Sequence, residues 1–168
     1  MKKTLKLLVL FMTLFAMSCG GDEDKKKEST KVKLKSPTKE VKAPEKSTKI
    51  PASKRIDLVS KGVGPIKSLK LDATIDQAMA THGADVYKKM CTACHKPDKK
   101  FIGPAPTGVM ERRTPEWIMN MILDPEGMVK NDPLAKELLM EFNGSPMANQ
   151  NLTEEDARAV LEYFRTLK

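Results

Sequence analysis

Hydrophobic positions along the chain fall into three regimes. Residues 7–17 form an apolar run, residues 20–55 show no repeating apolar face, and from about residue 72 apolar side chains recur at helical spacing. In TIDQAMATHGADVYKKMC (74–91), Ala80, Ala84, Tyr87 and Cys91 share one helix face, with Gly83 beside them. RTPEWIMNMILDP (113–125) opens with Thr114 as an N-cap and Pro115 at the first helical position, and this helix is expected to stop before Pro125. NDPLAKELLMEFNG (131–144) repeats the device with Asp132 and Pro133; Leu134, Leu138 and Phe142 share a face, and Asn143-Gly144 supplies a stop. LTEEDARAVLEYFRTL (152–167) places a Thr153 cap before a stripe of Ala157, Val160, Leu161 and Phe164. No segment alternates, PIKSLKL (65–71) is at most a short extended stretch, and no repeat is present. The pattern predicts an all-α fold of four helices with long connections.

This folded part holds only about 100 residues, and the stretch from Lys96 to Arg113 has little regular pattern. Aromatics make up 5% of the chain. Domains of this size bury a marginal core, and loops this long usually serve a function. A large bound cofactor accounts for both features.

The first regime, MKKTLKLLVLFMTLFAMSCG, has Lys2, Lys3 and Lys6 ahead of its apolar run and small residues around Cys19. It is expected to be a secretory signal peptide over 1–18, too short for a permanent span. AMSC resembles the lipobox of bacterial lipoproteins, with Ala16 where that family prefers Leu. The resemblance implies lipid on Cys19 and stable anchoring by several acyl chains. Residues 19–55 are then a lipidated N-terminus and a disordered tether rich in Lys, Pro and Ser. A random coil of that length spans roughly 30–35 Å. The overall charge of +8 divides into +3 in the leader, +8 over residues 20–70 and −3 over residues 71–168. The basic balance therefore belongs to the tether, and no nucleic-acid partner is expected.

With Cys19 assigned to lipid, Cys91 and Cys94 remain, and His95 follows directly in MCTACHKPDKKFIGP. A structural zinc site needs four ligands; the chain offers these three and His82, but His95 directly after Cys94 makes it awkward for both to bind one ion, and no second CxxC or HxxxH is present. A redox dithiol belongs at the end of a strand in a βαβ setting, and a plain disulfide leaves His95 unexplained. CxxCH is the spacing of covalent haem attachment. Two thiols near one turn apart reach both vinyl groups of one porphyrin edge, and the adjacent imidazole serves the iron.

Residues 76–168 resemble a class I, mono-haem cytochrome c domain. Gly83 and Tyr87 stand in the first helix as in that family's helix-crossing motif, followed by Cys91, Cys94 and His95, then Gly103-Pro104, then SPMANQNLTEEDARAVLEYFR. The resemblance implies that the carbonyl of Pro104 holds the proximal imidazole. It implies Met147 as the sixth iron ligand, in a Pro-containing loop before the last helix. Met128, read as a loop residue, is the competitor; Met119, Met121 and Met140 are read as core filler inside helices. Trp117 is read as a core residue or, as in many relatives, a donor to a haem propionate. Arg112 and Arg113 are propionate partners or surface charges. His82 is read as an exposed helix residue.

The function expected is that of a tethered single-electron carrier with one haem c, and not an enzyme, because His95 and Met147 leave the iron no open position. Its partners are redox proteins, including a terminal reductase or oxidase, and the membrane it is anchored to. The location expected is the periplasmic side of a Gram-negative membrane, with surface display open because DED after Cys19 resembles a surface-export tag. RRTPEWIMNMILDP resembles small cytochrome c proteins of respiratory reductases, including nitrous oxide reduction. The alternative is a haem-based ligand-binding or sensing module, or a fixed haem subunit of a larger reductase or oxidase.

Overall fold

The computed structural model describes residues 50–168. The leader, Cys19 and the expected tether through residue 49 lie outside these. Five α-helices follow in order: α1 (Gln77–Met90), α2 (Pro115–Leu123), α3 (Pro125–Asn131), α4 (Pro133–Glu141) and α5 (Glu154–Phe164). Two 3-10 turns, Ala52–Lys54 and Val109–Glu111, are the other helical elements among the described residues. Among the described residues there is no strand, and one isolated parallel bridge joins Asp57 to Arg113.

The fold is all-α, with one helix more than the pattern predicts. Pro125 does not end a helix run alone; it is also the first residue of α3. Asp124 serves both helices, closing α2 and accepting the Gly127 N–H at 2.9 Å as the cap of α3. Thr114-Pro115, Asp124-Pro125 and Asp132-Pro133 thus start three successive helices by one device: a side-chain cap followed by a residue that needs no N–H partner.

The terminal helices α1 and α5 cross at Gly83. A Cβ there would lie 1.8 Å from the carbonyl oxygen of Ala159, so only glycine permits this approach. Beside the crossing, Tyr87 packs on Tyr163 and Phe164, with ring centroids 5.4 and 5.7 Å away. Glu162 of α5 is fully buried, and its carboxylate accepts the Asp76 N–H at the start of α1 while pairing with Arg158 and Arg165 at 2.5 Å each.

The polar residues of α2 hold the chain that precedes α1. Buried Asn120 accepts the Ile66 N–H at 2.8 Å and donates to the carbonyls of Lys61 and Ile66. Glu116 accepts the Leu69 N–H and pairs with Lys61. Residues 51–55, read from sequence as tether, are packed on the domain instead: Ala52 is buried, Arg55 pairs with Glu137, and Ser53 binds Glu141. The folded part therefore begins ahead of the expected boundary at residue 56.

Candidate functional site

The C-terminus of α1 sets the first site residues. Cys91 caps the helix through its N–H to Tyr87, and the chain then turns tightly, with the N–H groups of Cys94 and His95 both donating to the Cys91 carbonyl. Cys91, Cys94 and His95 are thereby gathered on one turn at the wall of a cavity of about 230 Å³. A buried water needs only about 10–15 Å³, so this is no packing defect. Neither cysteine is bridged. Burial, with Cys94 close by, pushes the Cys91 thiol up to about 11.

His95 is fixed in orientation and in tautomer. Its Nδ1 lies 2.8 Å from the Pro104 carbonyl oxygen, which can only accept, so Nδ1 carries a proton and Nε2 is the nitrogen left to face the cavity as a ligand in the neutral ring. Gly103 lies against the ring: a Cβ there would sit 2.4 Å from His95 Cε1. The Gly103 N–H donates to the Cys94 carbonyl at 2.9 Å, which ties the loop to the cysteine turn.

Met147 lies in the connection from α4 to α5, which begins at Asn143 and Gly144 with φ of 60° and 71°. It lines the same cavity as His95, Cys91 and Cys94. Met128 does not line it. It sits on α3 rather than in a loop, is fully buried, and its sulfur accepts the Val63 N–H at 3.0 Å. Met119 is core, as expected, whereas Met140 is exposed. Met121 and Met90 line the cavity, a placement the sequence reading missed. No pattern could separate Met121 from core filler, because the face of α2 that meets the cavity has the apolar character of a packed face.

The cavity is apolar except around Arg112, Arg113 and Trp117 and at a few positions such as His95 and Ser53. Trp117 is buried and lines the cavity, and its Nε1–H has no hydrogen-bond partner. Such an orphan is rare in a folded protein and points to a missing acceptor. Arg113 lies over the Trp117 ring at 5.2 Å. Reading Arg113 as a surface charge is excluded by its 3% exposure. Its guanidinium donates to the carbonyls of Ala52, Arg112 and Arg55. Arg112 is half-buried and donates to the Thr107 carbonyl at 3.1 Å. Ser53 also lines the cavity; it was missed because it lies in a Lys/Pro/Ser-rich stretch without periodicity. His82 is exposed as expected and pairs with Asp156 at 2.8 Å.

A ring-shaped apolar group with an anionic edge fits these walls. Its body would meet aliphatic and aromatic side chains, its edge would be received by the orphan Trp117 donor with Arg112 and Arg113 nearby, and the paired thiols and the imidazole stand together on one turn. Among the described residues no three His, Cys, Asp or Glu side chains are arranged to hold a metal ion between them alone.

The helical fold and this site fit a haem protein. The family model described as Cytochrome c matches residues 80–168. The chain belongs to the cytochrome c family, with a class I domain and covalently bound haem c as its cofactor. The structure is similar to the cytochrome c of Rhodothermus marinus at 45% identity and a TM-score of 0.60, covering 62% of this chain and 89% of that one. It is similar to an engineered cytochrome c from the same organism, Rma TDE, at 44% identity and a TM-score of 0.60, covering 62% and 90%. A form of that engineered protein bound to a carbene intermediate aligns with a TM-score of 0.58 at 44% identity, covering 62% and 89%. No curated protein sequence matches the chain.

Proposed function

We propose that this chain is a single-electron carrier whose haem is attached through Cys91 and Cys94 and whose iron is held between His95 and Met147. The observation that carries the reading is the convergence of these four residues on one cavity, with the His95 tautomer locked by Pro104. Haem supplies a one-electron iron couple, and a histidine–methionine pair raises its potential. The protein's own contribution is to orient the ligands, exclude water with apolar walls and receive the propionate edge at Trp117, Arg112 and Arg113. With His95 and Met147 both holding the iron, it would keep no position for a substrate, and the reading is therefore of a carrier rather than an enzyme.

The leader and Cys19 support a lipid-anchored, exported carrier on the periplasmic side of a Gram-negative membrane. Among the described residues no helix is long and apolar enough to cross a membrane. The tether confines the domain near the membrane and raises its effective concentration toward a respiratory reductase or oxidase. Cys19→Ser is expected to give soluble or unprocessed protein; membrane retention of that variant after a salt wash would reject the anchor. Ligation is tested by comparing Met147→Ala with Met121→Ala. The sulfur–iron charge-transfer band of the oxidised protein should vanish only in the first, and its loss only in the second would reassign the ligand.

A further inference from the structure

Residues 51–55 precede the family match at 80–168, yet Ser53 lines the haem cavity. Ser53 grips Glu141 twice: its N–H donates to Oε2 at 2.8 Å and its hydroxyl to Oε1 at 2.5 Å. Glu141 is the last residue of α4, directly before the connection that carries Met147. From the other side Lys100 reaches the Glu141 carbonyl and lies 4.5 Å over the Phe142 ring. The same short segment fixes the opposite wall, because the carbonyls of Ala52 and Arg55 take the donors of Arg113, which holds the Trp117 ring.

We infer that residues 51–55 are a clasp across the mouth of the haem site, in which Ser53 and Glu141 are positioning residues for the methionine connection. The physical reason is leverage. Asn143 and Gly144 adopt left-handed backbone conformations, so the connection has no helix to stiffen it. What fixes its start is the end of α4, and the contact pinning that end is a charge-assisted hydrogen bond, the stronger kind. Releasing it lets residues 143–150 fluctuate and weakens the hold on the sixth position. The inference rests on Met147 being the ligand proposed above.

The haem-loaded protein tests it with two readouts. Ser53→Ala and Glu141→Gln should each speed amide hydrogen exchange over residues 145–150, and raise the affinity of the oxidised protein for added imidazole, by about tenfold, the equivalent of one charged hydrogen bond of about 1.4 kcal/mol. Combining the two should give less than the sum, since the serine change removes the hydroxyl bond to the same carboxylate that the glutamate change neutralises, while the Ser53 N–H bond remains in the first. Ser53→Thr keeps the hydroxyl and should restore both values, and Lys54→Ala, an exposed change on the same turn, should alter neither. Unchanged exchange in Ser53→Ala, or full additivity in the double variant, would overturn the clasp. If the unmodified protein bound imidazole as readily as Met147→Ala, the ligand assignment would fail instead, and the clasp would stand or fall on the exchange result.

Discussion

Single atoms decide several features of this site. Gly103 is constrained by the imidazole beside it: the Cβ of an alanine would press on His95 Cε1. Gly103→Ala is expected to cost about 1–3 kcal/mol as overpacking and to disturb the haem spectrum, since the ring itself must move; denaturant titration with a parallel absorption spectrum checks both. Glu162 is governed by charge. Burial pushes its carboxyl up, but the Arg158 hydrogen bond, the Asp76 N–H and the two arginine charges outweigh this and hold it below the usual range. A depressed carboxyl adds stability that is complete above its unfolded value and is lost as pH falls through its folded value. Unfolding free energy should therefore decline below about pH 4. Glu162→Gln should flatten that decline while lowering stability at neutral pH by about 3 kcal/mol, because two arginines lose their counter-charge.

Among the elements, legibility followed locality. CxxCH was readable because its chemistry is set by covalent spacing over five residues. The caps Thr114, Asp132 and Thr153 were readable because a side chain bonds its own backbone three residues on. Helix α3 was not: it has seven residues, one of them Gly127, shows no periodic face, and begins at a proline that also reads as a stop. Missing it made Met128 a loop ligand candidate, when its sulfur serves the Val63 N–H. Met128→Leu is expected to leave the haem spectrum unchanged and to cost about 1 kcal/mol from the lost N–H···S hydrogen bond, measurable by thermal unfolding. Met121 and Ser53 escaped for the opposite reason: their role depends on which distant elements close round the cavity. The α1–α5 crossing is as local as one glycine. Gly83→Ala meets the Ala159 carbonyl, and should reach or exceed the upper end of the 1–3 kcal/mol range for overpacking, about 3 kcal/mol.

At the scale of the whole molecule, charge divides the labour. The +8 of residues 20–70 sits ahead of a part carrying −3. Within that part, residues 96–113 hold Lys96, Lys99, Lys100, Arg112 and Arg113 against Asp98 and Glu111. Burial of Arg113 removes it from any docking surface, leaving the three lysines and Arg112. Lys96 lies 5.0 Å over the Phe101 ring, close in sequence to the His95 turn. A basic border there would steer the carrier toward an acidic partner, so electron-transfer rates should fall as salt shortens the Debye length to about 8 Å near physiological ionic strength; rates indifferent to salt would remove the steering.

The proposed carrier reading depends on His95 and Met147 both holding the haem iron. Carbon monoxide titration of the reduced protein examines that directly, beside Met147→Ala as the open reference. The unmodified protein should bind carbon monoxide poorly and the variant readily. Ready binding by both, at similar affinity, would contradict the carrier reading and leave a haem with a free coordination position.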